Sequence, residues 1–312
     1  MQGLAEVSAA SDDDASPQSR QVPNAQNAPL SSVGAGAPLV SVIIGTRNSG
    51  ATLRRCLESI VEQTYRPLEI VVIDNFSTDS SADIAREFTD RVYIMGPERC
   101  AQYNHGFRVA KGQCVYRVDS DFVLDAAVVR DSVDLVSQGY DAIVIPDTTD
   151  TSQGFWARVR ALEKGCYIDD DWNVAARFFK TSVIRSLGGY DEALIGGEDY
   201  DLQNRLLKAG YRVGRTRSGE VHLDEPKTLK EIYEKQYFYG TTLRNFLSRN
   251  EDRGLRQLLP LRTAYLRHWR DFVRNPDLTA GFMVYELVKY TAAWRGWSNA
   301  RSERLGRDQN PS

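Results

Sequence analysis

Hydrophobic positions along this chain change their spacing in a regular rhythm. Residues 39–44, LVSVII, form a nearly continuous β-branched run that ends on Gly45, the pattern of a strand buried on both faces. Beyond it Leu53, Leu57, Ile60 and Val61 recur at helical spacing, with Ser49 placed to cap that helix. LEIVVIDN repeats the strand pattern, and DSSADIAREF repeats the helical one through Ile84, Ala85 and Phe88. RVYIMG predicts a third strand, GFRVAKG a helix and QCVYRVDSD a fourth strand. This alternation predicts an α/β fold built on a mainly parallel sheet flanked by helices. Open sheets of that kind bind ligands at the carboxyl ends of their strands. Asn48, Asp74 and Asp119 lie at or just past such ends, so they are expected to converge on one crevice.

The rhythm changes after Asp125. Residues 126–138 predict a helix and DAIVIP a strand, while residues 147–172 read as irregular or helical. NVAARFFK and a helix over EDYDLQNRLLKAG follow, then short strands at YRVGRT and GEVHL. From Pro226 onward the pattern is helical. The predicted organisation is therefore an α/β domain over residues 39–225, a helical extension over 226–298 and a flexible tail over 299–312. Residues 1–38 carry almost no large apolar side chains and read as disordered, because they cannot bury enough surface to offset their ordering entropy.

Charge adds an asymmetry to this picture. The 312 residues carry a net charge of −3, yet the stretch from Pro226 to the end holds 16 Lys and Arg against 9 Asp and Glu. Its arginines alternate with Leu, Tyr and Trp269, as in a helix that lies in a membrane interface and attracts anionic lipid. A helical cap or an oligomer interface through the C-terminal helices fits the same pattern. No apolar run is long enough to predict a membrane-spanning helix, and no secretory signal is visible. Cys56, Cys100, Cys114 and Cys166 form no CxxC pair, which argues against a zinc knuckle or disulfide framework and suits a reducing cytoplasm, at the inner face of the membrane if the tail binds lipid.

Candidate chemistry begins with RVDSD. Residues two apart on a strand share a side, so Asp119 and Asp121 can offer a hard oxygen site for Mn2+ or Mg2+, which would bridge to phosphate. The same acids also fit a solvated strand end with Asp125 capping the next helix. The context decides. IGTRN, IDNFSTD, NHGFRVAKG, VDSD and GGYDEALIGGEDYDLQNRLLKAGY occur in order, and together they resemble the family 2 glycosyltransferases of GT-A fold over residues 40–222. In that family the first strand ends in PTYN or similar, the second in DDGSTD and the fourth in DxD. Gly45-Thr46-Arg47-Asn48 and Asp74-Asn75-Phe76-Ser77-Thr78-Asp79 stand here as variants of the first two.

The resemblance implies a nucleotide-sugar donor. Thr46, Arg47, Asn48 and Ser120 would line its site, and Asp74 would accept the ring N–H of a uracil. Arg99 could approach the base or the diphosphate, and Asn104 with Gly106 matches the family's NxG. Asp119 would serve the nucleotide side, with Asp121 the direct metal ligand and His222 completing the metal site. By its match to the family's ED motif, Asp199 would be the general base that takes the acceptor proton, with Glu198 orienting it. Glu198 and Asp199 also suit a helix N-terminus as plain end charges. Gly188-Gly189 and Gly196-Gly197 would let the backbone approach the sugar, and residues 169–172 would line the acceptor side. The expected activity is single-sugar, inverting transfer to a glycan or lipid-linked acceptor. Processive relatives carry a QxxRW motif and transmembrane helices, and this chain has neither. A non-catalytic scaffold of the same fold and a sugar nucleotidyltransferase are the alternatives; nucleic-acid binding is not expected.

Overall fold

The computed structural model describes residues 36–308. Its strands are β1 Val40–Thr46, β2 Leu68–Asp74, β3 Val92–Ile94, β4 Cys114–Asp119, β5 Phe122–Leu124, β6 Ala142–Val144, β7 Asp147–Thr149, β8 Ala176–Lys180, β9 Val213–Arg215 and β10 Glu220–His222. Seven of them form one sheet in the order β3-β2-β1-β4-β8-β6-β9. β3, β2, β1 and β4 run parallel, while β8 is antiparallel to both β4 and β6. The chain winds from β1 outward to β3 and then returns to the other side of β1 as β4. The strand order therefore reverses between β1 and β4, which is where sheets of this type open a crevice.

Helices cover both faces. α1 Leu53–Val61, α2 Ser81–Arg86, α3 Arg99–Val109, α4 Val128–Ser137, α5 Phe155–Gly165, α6 Thr181–Ser186 and α7 Glu198–Lys208 follow in chain order. α1, α2 and α4 pack on one face through Leu57, Ile60, Ile84 and Val129, and α3, α6 and α7 on the other through Phe107, Ile184 and Leu202. α3 crosses the sheet closely because residue 106 is glycine; a Cβ there would overlap Ile43. Two local expectations change. α3 starts at Arg99, well before the GFRVAKG segment. Ser49 does not cap α1, which begins at Leu53 after Thr52; its hydroxyl instead accepts from Ser120 at 2.8 Å.

A second, three-stranded sheet, β5-β10-β7, sits beside the crevice. Pairing of His222 with Phe122 and a hydrogen bond from Leu223 N–H to the Asp121 carbonyl (2.7 Å) bring the end of β10 against the turn after β4. The late histidine and the early acids meet for this reason.

The C-terminal segment forms α8 Leu229–Gly240, α9 Leu243–Arg249, α10 Gly254–Gln257, α11 Thr263–Arg267, α12 Trp269–Arg274 and α13 Pro276–Asp308. It is not a separate unit. One apolar cluster joins Val159 and Cys166 near α5 to Ile232, Tyr265, Phe282 and Tyr285 beyond the predicted boundary. α13 runs through Asp308 rather than giving way to a tail at residue 299, as its Ala, Arg, Glu and Leu content favours. The disordered segment expected over residues 1–38 lies almost wholly outside the described residues. Within them no helix is long and apolar enough to cross a membrane.

Candidate active site

The carboxyl ends of β1 and β4 open on a crevice of about 280 Å3, lined by Thr46, Arg47, Asn75, Arg99, Asp119, Ser120, Asp121 and His222. A second cavity of about 380 Å3, lined by Glu198 and Asp199, shares Arg99 and Lys235 with it. Lys235 belongs to α8, so the C-terminal segment forms part of both walls.

Asp121 and His222 make one cluster. His222 Nε2 lies 3.0 Å from Asp121 Oδ2, and its Nδ1 lies 2.9 Å from Glu225 Oε1. Burial alone would disfavour the imidazolium, but Asp121 and Glu225 on either side override it and raise the His222 pKa. Glu225 is buried too, and Arg160, His222 and Lys164 overcome that burial to hold its carboxyl far below the usual carboxylate range. Glu225 thus lies at ion-pair distance from the ring nitrogen that faces away from Asp121, although that nitrogen makes no well-aligned hydrogen bond. Sequence reasoning missed Glu225; the i,i+3 spacing in HLDE was its only signal.

Arg117 joins the two cavities. Only 1% exposed, its guanidinium lies 3.0 Å from Asp119 Oδ1 and 3.3 Å from Asp199 Oδ2, over the ring of Tyr103. The Tyr103 hydroxyl also reaches Asp119 Oδ1 at 2.7 Å. Burial of the Asp119 carboxylate is outweighed by Arg117, Arg99 and Arg177, which keep it ionised well below its ordinary pKa. Asp199 retains one oxygen, Oδ1, with no hydrogen-bond partner. Glu198 is paired with Arg99; its burial and the neighbouring Asp199 nonetheless raise its pKa. The sequence places Arg117 inside an apolar run, and its role was not anticipated.

Other predicted residues stand elsewhere. Asp74 is buried away from the crevice, its Oδ2 accepting from Ser77 N–H at 2.9 Å, and the next residue, Asn75, lines the crevice instead. Asn48 lies outside the crevice lining, where its Oδ1 accepts from Thr78 N–H at 2.8 Å. Asn104 donates to the Tyr190 carbonyl and to Glu192 and accepts from Tyr190 N–H, so its amide fixes the loop after α6, and it lies outside the crevice lining. Residues 169–172 also face away: Asp169 meets Arg267 and His268, and Trp172 is covered by Arg253 and Arg256, while Tyr167 and Asn173 line the cavity. Gly196 and Gly197 line it, packed against Tyr239 and Phe246, whereas Gly188 and Gly189 lie outside its lining.

The model of the family described as Glycosyl transferase family 2 matches residues 41–189. This stretch is a family 2 glycosyltransferase domain. Glycosyltransferase GlyG of Streptococcus pneumoniae is 36% identical over 99 residues, 30% of this chain and 33% of that protein. Across the first such curated relatives, the chain spans a third of their length or less. O-antigen chain rhamnosyltransferase WbaN of Salmonella anatum is 23% identical over 229 residues, 65% of this chain and 71% of that one. Mannosyltransferase PcManGT from Pyrobaculum calidifontis, solved in complex with GDP-Man and Mn2+, covers 87% of both chains with a TM-score of 0.53 at 18% identity. That likeness shows the GT-A fold.

Proposed function

We propose that this family 2 chain is an inverting, metal-assisted glycosyltransferase. It moves one sugar from a nucleoside-diphosphate donor, UDP-sugar favoured, to a hydroxyl of a glycan or lipid-linked acceptor. The observation that carries this reading is the pair of adjoining cavities, one with Asp121 and His222 and the other with Asp199, held in register by the buried Arg117. The donor would occupy the crevice at the strand ends, with its sugar at the junction and the acceptor in the larger cavity.

Asp121 Oδ2 and His222 Nε2 are a hard oxygen and a borderline nitrogen side by side, suited to Mn2+ or Mg2+. Among the described residues no group of three or more His, Cys, Asp and Glu could hold an ion alone. Two protein ligands with phosphate oxygens in the remaining positions is nevertheless an ordinary arrangement for such ions. Asp121 and His222 would hold it, with Asp119 on the nucleotide side, and when bound it supplies positive charge to the departing diphosphate. Asp199 then takes the proton of the acceptor hydroxyl, with Arg117 fixing its carboxylate through Oδ2. Arg99 ties Glu198 to the donor side, which closes the junction around the sugar.

Asp199→Asn is expected to reduce transfer by at least about a hundredfold while leaving nucleotide binding within about twofold. Asp121→Ala is expected to weaken Mn2+-dependent nucleotide binding itself. Calorimetry with UDP and Mn2+, beside donor turnover, separates the two. Parent-like binding by Asp121→Ala would remove the metal assignment. A wild-type chain that binds nucleotide yet neither hydrolyses nor transfers any donor would favour the scaffold. Peripheral contact of the C-terminal helices with an anionic membrane completes the reading, supported by exposed Trp269 beside Arg270 in the chain and by exposed Leu287 and Trp294 on α13.

A further inference from the structure

Phe76 stands out among the large apolar side chains of the α/β domain. Its backbone has a φ of +50°, a left-handed conformation that costs a bulky L-residue energy, and the residue is 67% exposed. The conformation is imposed from both sides. Asp74 Oδ2 accepts from Ser77 N–H at 2.9 Å, Asn48 Oδ1 from Thr78 N–H at 2.8 Å, and Ser77 Oγ from Asn48 N–H at 2.9 Å. These bonds lock the turn between β2 and α2, so residue 76 has no freedom to relax. Glycine would accept that geometry without strain. An aromatic ring held out of the core on a strained backbone is an outlier that packing does not explain.

The surroundings say what the ring meets. Phe76, Ile94, Met95, Gly96 and Pro97 form an open slot, and Arg47 and Asn75 line both this slot and the crevice of Asp119 and Asp121. The slot is thus continuous with the crevice and lies at its β2–β3 end, away from Asp199. It offers a flat apolar face from Phe76, with a guanidinium and an amide beside it. A planar heteroaromatic ring with polar edges matches all three.

We propose that Phe76 is the stacking platform for the nucleobase of the donor. This rests on the reading of the crevice as a nucleoside-diphosphate site and assigns its base end. The buried Asp74 and the exposed Asn48 then act at one remove, by building the turn that presents the ring.

Phe76→Gly tests this, because the effects on stability and on binding have opposite signs. Removing the strained side chain is expected to leave the melting temperature unchanged or higher. Affinity for UDP and GDP, measured by calorimetry with Mn2+, should fall about tenfold or more, the usual contribution of one base stacked on an aromatic ring. Phe76→Trp should keep that affinity. Inorganic diphosphate, which has no base, should bind the parent and Phe76→Gly equally. If both nucleotides bind Phe76→Gly like the parent, the platform is wrong while the donor site stands. A lowered melting temperature with equal loss of diphosphate binding would make Phe76 a packing residue, and also overturn the proposal. A parent chain that binds neither nucleotide removes the donor reading itself.

Discussion

A guanidinium buried in the middle of a central strand has lost nearly all its hydration, so its position depends on the groups that replace water. Arg117 receives Asp119 on one side and Asp199 on the other. Arg117→Met would leave both carboxylates near one another without the cation, and breaking such a buried pair typically costs about 3–5 kcal/mol. Urea unfolding is expected to show a loss of that size, with part of it recovered in the double variant Arg117→Met, Asp199→Asn. A loss below about 1 kcal/mol would mean that water already solvates the site. At this scale the sequence was legible for residue types and less so for directions. The motifs singled out Asp121, His222 and Asp199; the structure brings Asp121 and His222 together and puts Asp199 in the lining of the adjoining cavity. Asp119 and Asp121 were expected to aim together as strand neighbours, but β4 ends at Asp119, and the turn that follows sends Asp121 to His222 and leaves Asp119 with Arg117. A charged residue inside a run buried on both faces was the available signal for Arg117.

Between elements, a buried ionic cluster binds α5 to the C-terminal helices. Glu163 on α5 is buried beside Arg160, with Tyr167 and, from α13, Lys289 around it. Burial penalises its charged form, but Arg160, Lys289 and Arg262 outweigh that and hold the pKa well below its ordinary value of 4.5. A depressed carboxylate contributes stability that is fully present above the unfolded pKa and is lost as pH falls toward the folded one. Glu163→Gln is therefore expected to unfold about 3–5 kcal/mol more easily at pH 7. The gap from the parent should narrow below about pH 4.5. Unfolding at pH 7, 5, 4 and 3 checks both statements, and a gap that stays constant would place the effect in packing alone. The helical period of residues 226–298 predicted these elements, but not their partners. The contacts are with Val159 and Cys166, far away in sequence, and periodicity carries no record of them.

For the whole molecule, the open issue is what the C-terminal helices present outward. The sequence suggested a basic stripe, but several of its arginines are engaged within the fold. Arg262 packs on Tyr167, Arg253 and Arg256 cover Trp172, and Arg267 pairs with Asp169 and Asp170. The apolar part is more exposed than its charge pattern implied: Leu261, Leu266, Trp269 and Val273 face solvent, as do Met283, Leu287 and Trp294 on one side of α13. Burying such residues in an interface yields about 25 cal/mol per Å2 of apolar area and does not weaken with salt, whereas attraction to anionic headgroups does. Contact with a membrane through these helices should thus depend on the apolar residues first. Flotation with phosphatidylserine-containing vesicles is expected to persist from low to physiological salt, with only a modest decrease. Trp269→Ser with Leu287→Ser should abolish it without lowering the melting temperature, since both side chains are more than half exposed. No flotation at either salt, together with a dimer in light scattering that the same two substitutions dissociate, would assign this face to a second copy of the chain instead.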